Sequence, residues 1–578
     1  MFAKTLHETL DSVAERRPTV PVDFPSEKRS TTLGELAEDS RRMARALTGA
    51  GVEPGDRLGV LCQNEPDFLV ALFAAARLGC AACPLPIPTG PKDVDAYLGR
   101  LGRVSQVAGM RHLVLSASFA SFGEFLTGAL PGVAVLSSDL AATAETSAVA
   151  AFQPPTVEAE STAIVQFTSG STADPKGVEL SHANILACLE AISVGIELGD
   201  EDSLGMWLPL FHDMGLFATL SALFAGIPAT VWSPLSFVKR PGGWLREFAA
   251  SGATISTSPD FGYGYLTDAV TPEEAAALDL SRWRIAFNGA ETIRRDSVDA
   301  FLERFAPAGF RPGALMTVYG MAEATLAVNF PPLGREPVWD VVDRDRLSLE
   351  GVAVPVEEDD PTARAVASVG PPVRGMEVRV CATDLRETRA AEQTGGAPAL
   401  DGVAAEAGPP ALPDGRVGEV LIRGASVTRG YLTAEADPRG SFTAGWLHTG
   451  DVGYTRDGEL YVTGRLKEMI VVRGDNYYPQ DVEELGRAHP GVYKERCVAY
   501  ADTAPDGSER IVLAAESREA RDEAARAALE KEMREHVSSG LGLDAVLVRV
   551  VPPRTLPRTT SGKFQRLAAR KAVEEASG

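Results

Sequence analysis

From the N-terminus to about residue 330, short β-branched runs alternate with stretches of helical periodicity, at 57–62, 112–116, 133–136, 163–167, 229–232, 253–257, 285–288 and 315–319. Strands separated by helices pair most readily as βαβ units, so this alternation predicts largely parallel sheets covered by helices. Such sheets place ligands outside the carboxyl ends of their strands. One candidate loop, Thr168-Ser-Gly-Ser-Thr-Ala-Asp-Pro-Lys-Gly177, lies between the apolar run 163–167 and a helix signal. Its glycines let backbone N–H groups converge on an anion, its hydroxyls donate further hydrogen bonds, and Lys176 adds a point charge for outer phosphates. The loop departs from G-x4-G-K-[S/T], because Ser-Thr-Ala-Asp-Pro separates Gly170 from Lys176, so P-loop NTPase logic does not transfer. By composition alone it also reads as an ordinary surface turn.

A chain of 578 residues exceeds what one core usually supports, so at least two domains are expected. Beyond residue 370 the texture changes to strand-like runs at 419–423, 459–463 and 469–473, interrupted by an Ala/Gly/Pro/Glu-rich segment, about 383–416, that reads as a mobile surface loop. A further composition follows Gly464, with a charge-laced helix over 518–537 between strand candidates 511–515 and 546–551. The balance of 56 Lys and Arg against 79 Asp and Glu argues against a nonspecific nucleic-acid binder, which needs a basic face. No signal-type apolar segment opens the chain, and the apolar run 68–76 is broken by Arg77, so a cytoplasmic protein without a membrane span is expected. Six cysteines make no disulfide framework. Cys80-Ala-Ala-Cys83, at the end of an apolar helix over 68–78, reads as packing rather than as a metal or redox site.

Five further segments carry chemical content: Trp207-Leu-Pro-Leu-Phe-His-Asp-Met-Gly-Leu216, Asn288-Gly-Ala-Glu291, Tyr319-Gly-Met-Ala-Glu-Ala-Thr325, Thr449-Gly-Asp451 with Gly464-Arg465-Leu-Lys467, and Pro557-Arg-Thr-Thr-Ser-Gly-Lys563. With the Thr168 loop and in this order, they resemble the adenylate-forming superfamily of acyl-CoA synthetases, peptide-synthetase adenylation domains and luciferases, over nearly the whole chain. The wording, including Asn476-Tyr-Tyr-Pro-Gln-Asp-Val-Glu483, is most similar to the fatty acyl-AMP ligase branch. The resemblance implies an α/β fold. A large N-terminal domain, 1–464, would hold stacked mixed βαβ sheets and a small β-barrel-like part, and a small mobile α+β domain, 465–578, would follow. It also implies a family insertion within 331–370.

What the resemblance implies chemically is activation of a carboxylic acid by ATP and Mg²⁺ to acyl-AMP, with pyrophosphate released. Transfer to the phosphopantetheine thiol of an acyl-carrier protein would follow. A carboxylate approaching the α-phosphate meets an anionic centre, so cations and donors must be aimed at it. By resemblance Lys563 supplies that cation. Thr168, Ser169, Gly170, Ser171, Thr172 and Lys176 would hold phosphates, and Glu323, a hard oxygen ligand, would hold Mg²⁺ with help from Thr172. Gly289, Ala290, Glu291, Tyr319, Gly320, Met321 and Ala322 would frame the adenine, with Asp451 and Arg465 at the ribose. His212, Asp213 and Met214 would line the acyl pocket, and Phe261 is a candidate for its lining, with core packing as the alternative. His212 is read as a wall or gate, with general base as the alternative, although a carboxylate ionised at neutral pH needs no base. Lys467 occupies the family's hinge position.

Two departures from the pattern matter. Ala173-Asp174 replaces a common Thr-Gly, and Asp475 stands where the pattern has Arg or a neutral residue, a charge that would repel the phosphates of CoA. The alternatives are an acyl-CoA synthetase, an amino-acid adenylating enzyme and a nonenzymatic nucleotide-binding relative. The composition, rich in Ala, Arg and Gly, fits a high-GC bacterium and a role in secondary metabolism.

Overall fold

The computed structural model describes residues 2–87, 94–143, 154–167, 175–383, 408–432, 442–473, 475–504, 508–558 and 564–577. The chain forms two compact units, one of Met1–Val338, Val369–Val378 and Ile422–Arg439, the other of Trp339–Ser368, Arg379–Leu421 and Gly440–Gly578.

The first unit contains two seven-stranded sheets. One runs Leu315–Thr317, Ile285–Gly289, Ile255–Pro259, Leu204–Met206, Ala229–Val231, Pro21–Phe24, Arg29–Thr32, and every neighbouring pair is parallel except the last. The other runs Tyr431–Leu432, Gly177–Ser181, Thr162–Phe167, Ala81–Pro84, Arg57–Leu61, His112–Leu115, Ala134–Ser137, with its first two pairings antiparallel and the rest parallel. The mixed βαβ character expected from the alternation is therefore present.

The helix Asp213–Ala225 packs on the first sheet and against His182–Gly195, which packs on the second. Both are apolar nearly all round, as helices sandwiched between sheets must be. Capping boxes at Thr32–Glu35 and Ser181–Asn184 start the helices Leu33–Gly49 and His182–Gly195, and Gly226, at φ +71°, ends Asp213–Ala225.

Two sequence expectations are corrected. Ala81–Pro84 is a buried strand between two parallel neighbours rather than a helix end, so Cys80 and Cys83 pack within a sheet core. Burial pushes both thiols up to about 12, which keeps them protonated near neutrality. The segment after the phosphate loop is likewise not a helix at first. Gly177–Ser181 returns antiparallel to Thr162–Phe167, and the helix begins only at His182.

In the second unit the long strand Trp446–Arg456 pairs with Glu459–Arg465 and Phe442–Thr443 in a curled five-stranded sheet. Cys497–Thr503, Glu509–Glu516 and Val546–Val551 form a separate sheet, covered by Glu523–Leu541 and Arg566–Ser577. Within 331–370, Trp339–Asp343 pairs antiparallel with Ala363–Ala367. Val342 and Val366 share a core with Tyr454, Tyr461, Met469 and Tyr478. Arg364 reaches Asp481 at 3.1 Å and donates to the Thr463 carbonyl at 2.9 Å. Residues 384–407 of the expected mobile loop lie outside the described residues, while Ala411 and Leu412 pair with Cys381 and Val380. No helix among the described residues is long and apolar enough to cross a membrane.

Candidate active site

Three of the motif segments and the segment bearing Phe261 leave the carboxyl ends of neighbouring strands in the first sheet, and the phosphate loop follows the carboxyl end of Thr162–Phe167 in the second. Thr168, Ser169, Gly170, Ser171 and Thr172 lie outside the described residues, and the strands on either side of them form a stem. That stem is tight. Phe167 pairs with Gly177, where a Cβ would come within 2.6 Å of Val165 and 3.1 Å of the Phe167 ring. Lys176 is exposed beside it.

Tyr431 pairs with Val178 on the outer side of this stem, and its hydroxyl donates to the Glu323 carboxylate at 3.1 Å. Burial and the adjacent carboxylate push the Tyr431 phenol far up, so it remains a donor. Glu323 sits in the turn after Tyr319–Gly320, a strand that pairs with Ala327–Asn329. Its carbonyl accepts from the Thr428 N–H at 2.7 Å, and Thr325, held at φ +67°, donates through its hydroxyl to the Ser426 carbonyl at 2.9 Å. Gly320 is required by this turn, because a Cβ there would lie 2.0 Å from the Leu326 carbonyl oxygen. Glu323 is thus fixed next to the root of the phosphate loop, through a tyrosine that the motif reading missed.

Along the next loop, the Asn288 carbonyl accepts from Val318 N–H at 2.8 Å, and Gly289 leaves no room for a Cβ against the Val318 carbonyl. Ala290 is held at φ +66°, an uncommon conformation for a residue with a side chain. Tyr319, Gly320, Met321 and Ala322 follow on the adjacent strand end, with Ala322 buried.

The acyl-motif residues gather on one wall. Gln166, two residues before the phosphate loop, donates to the Phe211 carbonyl at 2.7 Å. Asn64 donates to the carbonyls of Leu208 and Trp232 at 2.9 and 2.8 Å and accepts from Leu210 N–H at 2.9 Å. His212 Nδ1 lies 2.6 Å from Asp213, whose same oxygen accepts from Met214 N–H at 2.7 Å. Met214 N–H also approaches His212 Nδ1, at 3.4 Å. Met214 is buried in the first helical turn. Trp207 stacks on Phe237 with centroids 3.8 Å apart and meets Phe261 edge-on at 6.0 Å. A Cβ at Gly215 would stand 2.2 Å from the Pro209 carbonyl oxygen. Gly215→Ala is therefore expected to destabilise the protein by about 2 kcal/mol or more, read as a lower urea midpoint at unchanged slope; an unchanged midpoint would mean the loop yields freely.

In the second unit, Asp451 is buried and accepts from Arg465 Nε at 2.9 Å across the Trp446–Arg456 and Glu459–Arg465 pair. The Thr449 hydroxyl accepts from Asp451 N–H and donates to the Val420 carbonyl. Lys467 is exposed in the turn Leu466–Glu468, and Lys563 lies outside the described residues. Among the described residues no group of three or more His, Cys, Asp or Glu side chains forms a metal cage. A single carboxylate such as Glu323 fits a cation whose other ligands are phosphates and water.

An α/β chain with these loops at its strand ends has the architecture of adenylate-forming enzymes. The AMP-binding enzyme family profile matches residues 10–432, and the chain belongs to that family. It is 31% identical to a medium-chain-fatty-acid–[acyl-carrier-protein] ligase of Moorena producens, over 94% of this chain and 90% of the relative. It is 32% identical to a long-chain-fatty-acid–AMP ligase of Mycolicibacterium smegmatis, over 96% and 91%. A solved structure from a study of fatty acyl-adenylate ligases of E. coli and L. pneumophila superposes with a TM-score of 0.87 at 28% identity, covering 99% of this chain and 98% of that one.

Proposed function

We propose that this protein is a cytoplasmic acyl-AMP ligase that adenylates a fatty or related carboxylic acid with ATP and passes the acyl group to the thiol of an acyl-carrier protein. The observation that carries the reading is Glu323 held through Tyr431 beside the stem of the phosphate loop, with the acyl-motif wall joined to the same stem by Gln166. The acid's carboxylate oxygen attacks the α-phosphorus, the bond to the bridging oxygen breaks, and pyrophosphate leaves. The thiolate then attacks the acyl carbonyl, the carbon–oxygen bond to phosphate breaks, and AMP leaves.

Lys563 supplies the cation opposite the carboxylate and α-phosphate. Thr168, Ser169, Gly170, Ser171, Thr172 and Lys176 hold the phosphates. Glu323 would hold Mg²⁺, and the ion would supply charge neutralisation for the phosphates. Asp451 and Arg465 take the ribose, and the loops at 289–291 and 319–322 take the adenine. A turn at Lys467 moves residues 465–578 so that Lys563 withdraws before the thiol enters. The relatives named for acyl-carrier-protein and AMP ligation support this reading. The exposed carboxylate of Asp475 supports a carrier protein over CoA as acceptor.

Mass spectrometry of reactions with Mg-ATP, a panel of carboxylic acids, and CoA, phosphopantetheinylated carrier protein or no thiol tests it. Acyl-AMP should accumulate without thiol and discharge onto carrier protein. Rapid acyl-CoA formation would instead make the protein an acyl-CoA synthetase.

A further inference from the structure

The helix Asp260–Ala269 carries Phe261 into the aromatic wall with Trp207, yet it begins without a cap of its own. Pro259, at its N-cap, makes no side-chain hydrogen bond to the first turn. An uncapped helix start leaves backbone N–H groups without partners. The missing acceptor comes from another strand end, where Glu291 Oε1 accepts from the Phe261 N–H at 2.7 Å. A carboxylate at a helix N-terminus also meets the positive end of the helix dipole.

A second tie runs the other way. Asp260, buried at the same helix start, accepts from Asn288 Nδ2 at 3.0 Å, from Arg294 N–H at 3.4 Å and from Arg294 Nε at 3.5 Å. The segment 288–294 and the first residues of the Phe261 helix are thus cross-linked by two carboxylates. Between these ties lies Ala290 at φ +66°, the backbone setting from which Glu291 reaches the helix. Residues 289–291 are the ones assigned above to the adenine.

We propose that Glu291 is a positioning residue for the acyl wall, and that through it nucleotide and acid raise one another's affinity. A nucleotide that orders the 289–291 loop fixes the acceptor on which the Phe261 helix rests, and an acid that orders Phe261 fixes the loop in return. Coupling of this kind is reciprocal by thermodynamic necessity. The inference rests on the acyl-AMP ligase reading.

The test compares wild type, Glu291→Ala and Glu291→Gln, using whichever fatty acid the wild type adenylates fastest. Pyrophosphate release gives KM for acid and for ATP, and calorimetry gives acid affinity with and without α,β-methylene-ATP. Wild type should bind the acid about fivefold or more tighter with the analogue present. Glu291→Ala should bring that ratio near one, raise the acid KM about tenfold and, because the coupling is reciprocal, raise the ATP KM at saturating acid about fivefold. Gln keeps an acceptor oxygen and should retain the coupling. Should alanine prevent folding, Glu291→Asp, one methylene too short to reach Phe261, should show the same loss. The inference is overturned if the variants raise the ATP KM alone, or raise both KM values while keeping the ratio. A wild type that forms acyl-AMP without any coupling overturns this inference only; a wild type that adenylates no acid overturns the functional reading and this inference with it.

Discussion

Lys563→Ala should reduce acyl-AMP formation from acid and ATP by about 10²- to 10⁴-fold, while capture of preformed acyl-AMP by carrier-protein thiol stays within a few-fold of wild type. The first step brings an anionic carboxylate to an anionic phosphate and cannot proceed without a cation aimed at both. The second step expels AMP from an already activated carbonyl and has no such need. On either side of the segment that bears Lys563, Arg558 and Phe564 form a β-bridge, with the guanidinium 4.0 Å from the ring centroid, and Gln565 N–H donates to the Pro557 carbonyl at 3.1 Å. Arg566 then pairs with Glu468 at 2.5 Å and with Glu483 at 3.0 Å. Glu468 directly follows Lys467, so Arg566 is tied to the residue beside the proposed hinge. Acyl-AMP made from synthesis by wild type and supplied to the variant separates the two steps. Equal loss in both would sink the swinging-domain mechanism.

Glu323→Gln should lower kcat for adenylation by about 10²- to 10³-fold and move the Mg²⁺ requirement to higher concentration. Gln keeps the size of the side chain and can still accept from Tyr431, so the change removes charge more than shape. Tyr431→Phe removes only the positioning hydrogen bond and should cost about fivefold. Pyrophosphate release followed across a Mg²⁺ titration measures both. An unchanged Mg²⁺ dependence in Glu323→Gln would remove Glu323 from the metal site.

The sequence disclosed most where local pattern and tertiary role agree. The run 546–551 is rich in valine and the run 285–288 is largely apolar, and they emerge as Val546–Val551 and Ile285–Gly289. Ala81–Pro84 escaped because Ala, Cys and Pro have little strand preference, and only the neighbours Arg57–Leu61 and Thr162–Phe167 make it a strand. The short return strand Gly177–Ser181 was absorbed into the helix signal that follows it. Of the site, the motif residues were legible because each supplies a chemical group at a loop. Tyr431 and Asn64 were not, since their partners lie more than a hundred residues away in sequence. Glu291 was read as a nucleotide contact because nothing local announces that its carboxylate caps a distant helix.

Asn64 has a consequence of its own. It follows a strand of the second sheet, but its amide holds three backbone groups that follow strands of the first. Few side chains combine two donors and an acceptor within so short a reach. The segment bearing Trp207 and His212 is therefore registered against the opposite sheet rather than its own. A chimera that exchanges 207–216 between relatives moves the wall and leaves its mooring behind. Grafting selectivity onto this scaffold means moving the 62–66 turn with it as a matched pair.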